Sequence, residues 1–206
     1  CARASGRDDL GLLLGREVKL SSHEILGFGI LTSPTLDYAL GLVARYYRLV
    51  NPWMQLKYRR GPEQSELYLQ PRTELPPTTL RFLLEVGAVS AHQQIKSQLG
   101  ARLTPYEVHV SYGEPRYAAQ YRELRRARFH FASEPLPGVR IVLDTALVAQ
   151  AIPMANRSAL KMAEARCEEM LRKVTQVSGV TQWVTMMLRE STDSLPTREE
   201  LARLLN

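Results

Sequence analysis

WMQLKYRRGPEQSELYLQPR, residues 53–72, decides the fold, because within it the apolar period changes from that of a helix to that of a strand. Met54, Leu56 and Tyr58 alternate with Gln55, Lys57 and Arg59. Gly61-Pro62 turns the chain, and Leu67 and Leu69 then alternate with Glu66, Tyr68 and Gln70. Period two with a single apolar face predicts an antiparallel hairpin that buries one side and wets the other.

Both flanks of the hairpin are helical in pattern. In SPTLDYALGLVARYYRLV (33–50), Leu36, Ala39, Leu40, Val43, Tyr47 and Val50 recur at helical spacing. Ser33 reads as its N-cap and Pro34 as its first residue. Upstream, the glycine-punctuated run predicts two short helices, at about 8–15 and 22–31. Downstream, Pro76-Pro77 leads into TTLRFLLEVGAVSAHQQIKSQLG, a long helix that Gly100 is placed to stop. YEVHVSY (106–112) alternates again, a short helix is expected at about 115–126, and RFHF (128–131) and VRIVL (139–143) read as a strand pair before a helix near 144–151. The class is α+β, a small antiparallel sheet packed with helices and followed by a helical linker. A closed barrel of the cupin type needs about eight strands and is not expected.

Beyond Pro153 the strands stop. Leu160, Ala163, Cys167, Met170, Val174 and Val177 follow a three-four spacing, a seam that suits either the chain's own sheet or a second subunit, with a lean to the subunit. Gly179 reads as the end of that helix and VTQWVTMMLRE (180–190) as another. In SLPTREELARLLN (194–206), Thr197 and Glu200 form a capping box over a stripe too short to stand alone.

Composition narrows the function. No run approaches the roughly 18 apolar residues that span a bilayer, and Arg3, Arg7, Asp8 and Asp9 stand where a signal peptide would be apolar. A cytoplasmic protein is expected. Cys1 and Cys167 supply neither a disulfide framework nor metal-ligand spacing. Net charge of +6 suits work near nucleic acid, although the arginines of RYAAQYRELRRAR (116–128) share no helical face and read as solvated. Nucleophile elbows, zinc-ligand pairs and phosphate-cradling loops are all missing, which argues against an enzyme. No metal or cofactor is implied. Aromatic residues around the hairpin, with the histidine of the long helix, form the candidate ligand site: Phe28, Tyr46, Tyr47, Trp53, Tyr58, Tyr68, Phe82 and His92.

The order of segments resembles a known family. HEILGFGILTSPTLDYALGLVARYYRLVNPWMQLKY (23–58) is similar to the "LGxLGYALLSSPTLxDALxxxxRYxxLxNP" block in the N-terminal, arabinose-binding-like regulatory domain of AraC-type transcriptional regulators. The likeness runs over about residues 8–156 and departs at Leu124-Arg125 and Pro137-Gly138. It implies an effector-sensing domain at 1–153, a helical linker and dimerisation segment at 154–192, and at 193–206 the start of a helix-turn-helix DNA-binding domain cut off here. Opening on CARASGRDD without Met, the chain also reads as lacking N-terminal sequence. A small-molecule effector, a homodimer and DNA contact through the missing domain are the implied partners, and a membrane is not among them. A heme-bearing gas or redox sensor, with His92 as ligand, is the alternative.

Overall fold

The computed structural model describes residues 7–190, with side chains as far as Val174. Two compact units divide the chain, one ending at Cys167 and one beginning at Glu168.

The first unit starts with α1 (Leu10–Glu17), a 3-10 turn (Leu20–His23) and α2 (Glu24–Thr32). Helix α3 (Leu36–Tyr46) follows, then a second 3-10 turn (Tyr47–Leu49). The N-cap of α3 is Thr35, not Ser33. Thr35 is extended and its hydroxyl accepts from the Tyr38 N–H, whereas the Ser33 hydroxyl donates back to the Gly29 carbonyl and so finishes α2.

The hairpin is β1 (Met54–Arg60) and β2 (Gln64–Pro71). Helix α4 (Pro77–Leu99) ends where Gly100, at φ 55°, takes the backbone left-handed. Strands β3 (Tyr106–Val110), β4 (Ala127–His130) and β5 (Val139–Asp144) complete an open five-stranded sheet in the order β1-β2-β5-β3-β4. RFHF and VRIVL are not partners in this sheet. β5 lies between β2 and β3, and β4 pairs parallel with the far side of β3. The helix expected at 115–126 is a 3-10 segment, Ala118–Glu123, inside that parallel crossover, and the one near 144–151 is the single turn α5 (Thr145–Val148).

Register separates the two faces. Tyr58, Leu67, Ile141, Val108 and Phe129 form one row across all five strands, with Leu56, Leu69, Val139 and Val110 in the next row on the same side. These rows, with α3 and α4, make the main core. The row between them holds Lys57, Tyr68, Arg140, His109 and His130, the wet face. A polar face and an open edge belong to an α+β sheet and not to a closed barrel. A smaller core of Leu12, Val89, Tyr121 and Leu124 seals α1 onto α4.

Helix α6 (Arg157–Glu190) is continuous, and Gly179 lies inside it and not at its end. One internal glycine costs a helix only about 1 kcal/mol relative to alanine, too little to stop it. Leu160, Ala163 and Cys167 are buried in this chain, with Ala163 Cβ in the space that a side chain at Gly29 would need. That much of the seam faces the chain's own fold, which corrects the lean towards a second subunit for these three. In the second unit Lys173 pairs with Glu169 one turn away. The side chain of Val177, and all of 193–206, lie outside what is described.

Candidate functional site

Between α3, the apolar sheet face and α4 the core is incomplete, leaving a cavity of about 240 Å³. Its walls are mostly aliphatic: Leu36, Leu40 and Val43 from α3, Leu56, Leu67, Leu69 and Ile141 from the sheet, Leu83, Val86 and Ile95 from α4. Gly87 explains how α4 comes so close, since a Cβ there would meet Leu69 Cδ2 at 2.2 Å.

Polar groups enter this lining at few points. On α4, Ser90 donates to the Gly87 carbonyl at 3.2 Å, and the Gln94 amide donates to His23 Nε2 at 3.0 Å. Burial lowers the proton affinity of His23, so it is neutral in this setting. Asn51 Oδ1 accepts from the Trp53 N–H at 3.0 Å. Tyr47 also lines the cavity, and burial pushes its phenol up to about 12. Gln98 is different. It is 4% exposed, and its amide nitrogen has no hydrogen-bond partner among the described residues. A buried amide N–H left unmatched costs about 1–3 kcal/mol.

Of the eight residues expected to bind a ligand, the structure brings Tyr47 to this cavity and places the others elsewhere. Tyr46, its neighbour on α3, is fully buried beneath Arg45, whose guanidinium carbon lies 5.1 Å from the ring centroid. Consecutive helical residues point about 100° apart, so the two tyrosines do not share a wall. Phe28 and Trp53 are 41% and 56% exposed. Tyr58 spends its hydroxyl on Asp37 Oδ1 at 2.5 Å, tying β1 to the first turn of α3. Tyr68 stands on the polar row of the sheet, and Phe82 is half-buried outside the lining. His92 is buried with Nδ1 2.7 Å from the Tyr106 hydroxyl, also outside the lining, so the residue a heme would need is committed to the core.

Cavity-lining residues not singled out from the sequence lie on α4: Gly87, Ser90, Ala91, Gln94 and Gln98 recur at spacings of three, one, three and four. Small and amide residues along one face of a helix that must be buried form the signal that could have found them.

The cavity also adjoins the start of α6. Leu36, at the cavity wall, donates its N–H to the Gln150 carbonyl at 3.2 Å, Ile152 donates to the Pro34 carbonyl at 3.1 Å, and Asn156 donates to the Thr32 carbonyl at 2.9 Å. Tyr38 on α3 reaches Glu164 on α6 at 2.6 Å. Among the described residues no group of acidic, histidine or cysteine side chains is arranged to hold a metal, and no helix is long and apolar enough to cross a membrane.

Residues 1–152 match the arabinose-binding N-terminal domain of AraC transcription regulators. An ornithine utilization regulator of Pseudomonas aeruginosa is 24% identical over 201 residues, 98% of this chain and 58% of the relative. The crystal structure of the transcriptional regulator CdpR, also from Pseudomonas aeruginosa, superposes with a TM-score of 0.63 at 18% identity, over 74% of this chain and 49% of that one. The chain therefore spans about half the length of the regulators it matches.

Proposed function

The chain belongs to the AraC family of transcription regulators through its arabinose-binding N-terminal domain, and we propose that it is the part of such a regulator that senses a small-molecule effector. The observation that carries this reading is the aliphatic cavity, with Gln98, whose buried amide N–H has no partner, among its lining residues. Concave apolar space with few convergent polar groups is what small-ligand sites offer.

The response is a population shift. A ligand can move an equilibrium only by its differential affinity for two arrangements. Here it would touch α3, whose first turn shares backbone hydrogen bonds with the segment leading into α6. In this reading residues 1–153 sense, 154–192 relay and hold a homodimer, and 193–206 begin the first helix-turn-helix unit. DNA sequence is then read by the recognition helix of that unit, in the cytoplasm. A zwitterion such as the ornithine of the relative's name is a poor match to a lining without charge.

Thermal melting against a metabolite library tests this. An effector should raise the melting temperature progressively above its dissociation constant, and Ala91→Phe, which fills the cavity from α4, should abolish the shift. A shift that survives Ala91→Phe would place the ligand elsewhere.

A further inference from the structure

The chemistry of the cavity wall limits what the effector can be. Among the described residues that line it there is no Asp, Glu, Lys or Arg. Ser90, Asn51, His23 and Gln94 already hold partners, and His23 and Tyr47 are both neutral near pH 7. An ionised carboxylate or ammonium entering this space would lose its water and find no counter-charge, so it would be neutralised or rejected. Gln98 offers the opposite invitation: it lines the cavity, its buried amide N–H has no partner, and a rotation of its side chain would turn that neutral donor towards an acceptor bound there.

Size adds a second limit. An apolar cavity of about 150 Å³ is enough to take up benzene. At about 240 Å³ this one suits a compact molecule somewhat larger than that ring.

We propose that the effector is an uncharged, compact, mainly apolar molecule bearing one acceptor oxygen, a carbonyl or hydroxyl, that takes the Gln98 amide N–H. This rests on the cavity being the effector site. It sets the chain apart from a sensor of free amino acids, because a zwitterion needs both a carboxylate partner and an ammonium partner and the wall supplies neither.

Four probes of similar bulk separate the possibilities when titrated into the chain by calorimetry and thermal melting: acetophenone, ethylbenzene, benzoate and L-ornithine. Acetophenone should bind best, ethylbenzene more weakly, and benzoate and L-ornithine not measurably at neutral pH. Gln98→Met keeps the bulk and removes the donor, so it should weaken acetophenone about three- to tenfold, the worth of one hydrogen bond, and leave ethylbenzene within about twofold. Ala91→Phe should remove both. Benzoate or L-ornithine binding more tightly than acetophenone, and lost in Ala91→Phe, would overturn the ligand class while keeping the cavity as the effector site. Acetophenone binding unchanged in Gln98→Met would overturn the role of that amide. No shift with any of the four at millimolar concentration would remove the cavity as a binding site, and the effector reading with it.

Discussion

Tyr121 donates its hydroxyl to Glu85 Oε1 at 2.5 Å, and both residues are buried, Glu85 to 2% exposure. Tyr117 donates to the same carboxylate at 2.9 Å, and Arg81 reaches the Tyr117 hydroxyl at 3.3 Å. The carboxylate is thus the acceptor that satisfies a polar knot under α1. Glu85→Leu leaves the tyrosine hydroxyls without it and should cost about 2–4 kcal/mol. Glu85→Gln keeps an acceptor oxygen and should cost about 1 kcal/mol. Urea midpoints at constant m-value measure both. Equal losses would mean that packing, and not acceptance, is what Glu85 supplies.

His92 gives a pH dependence with a definite sign. Burial, helped by Lys96, lowers its pKa from 6.5 to about 4. The folded state therefore resists protonation, and the stability this contributes is whole above pH 6.5 and lost as pH falls towards 4. The loss should reach about 3 kcal/mol at most. His92→Asn retains a polar partner for Tyr106 and does not titrate, so its stability should fall less steeply across that window. Parallel pH profiles for wild type and His92→Asn would show that the acid response belongs to other groups.

The hairpin and the long helix were legible because each obeys one period over many residues, and Gly61-Pro62 and Gly100 mark their ends. Strand order was not. Nothing in RFHF or VRIVL says that β5 inserts between β2 and β3 while β4 crosses over to run parallel, since pairing is decided by long-range packing of rows such as Leu67, Ile141 and Val108. The cavity was not legible for a related reason. Rings draw attention by size, but Tyr68 already alternated outward between Leu67 and Leu69, and Tyr46 and Tyr47 could not share a wall. A cavity is made by what is small, and Gly87, Ser90 and Ala91 carry no hydrophobic signal of their own.

The placement of the rings yields a test at the aromatic residues. Trp53→Ala should change neither stability beyond about 0.5 kcal/mol nor any effector-induced shift, as expected for an exposed side chain away from the cavity. Tyr58→Phe loses the bond to Asp37 and should cost about 1 kcal/mol while leaving the effector shift intact. Thermal melting with and without effector reads both. A smaller shift in Trp53→Ala would restore the aromatic surface as part of the site.

The apolar stripe of α6 separates fold from assembly. Ala163 Cβ lies 3.2 Å from where a Cβ on Gly29 would sit, a contact between α6 and α2 with no spare volume. Ala163→Leu should therefore overpack this junction and cost about 1–3 kcal/mol in any assembly state. Met170 and Val174 come after Cys167 and are half-buried, so they do not inherit that constraint. If the homodimer forms through them, Met170→Glu sets one carboxylate against its symmetry mate out of water. Sedimentation should then show a monomer in place of a dimer, while circular dichroism still reports a folded chain. Ala163→Leu should melt earlier with its mass unchanged. A Met170→Glu chain that remains a folded dimer would move the subunit contact off this helix, and one that unfolds outright would make Met170 part of the chain's own core.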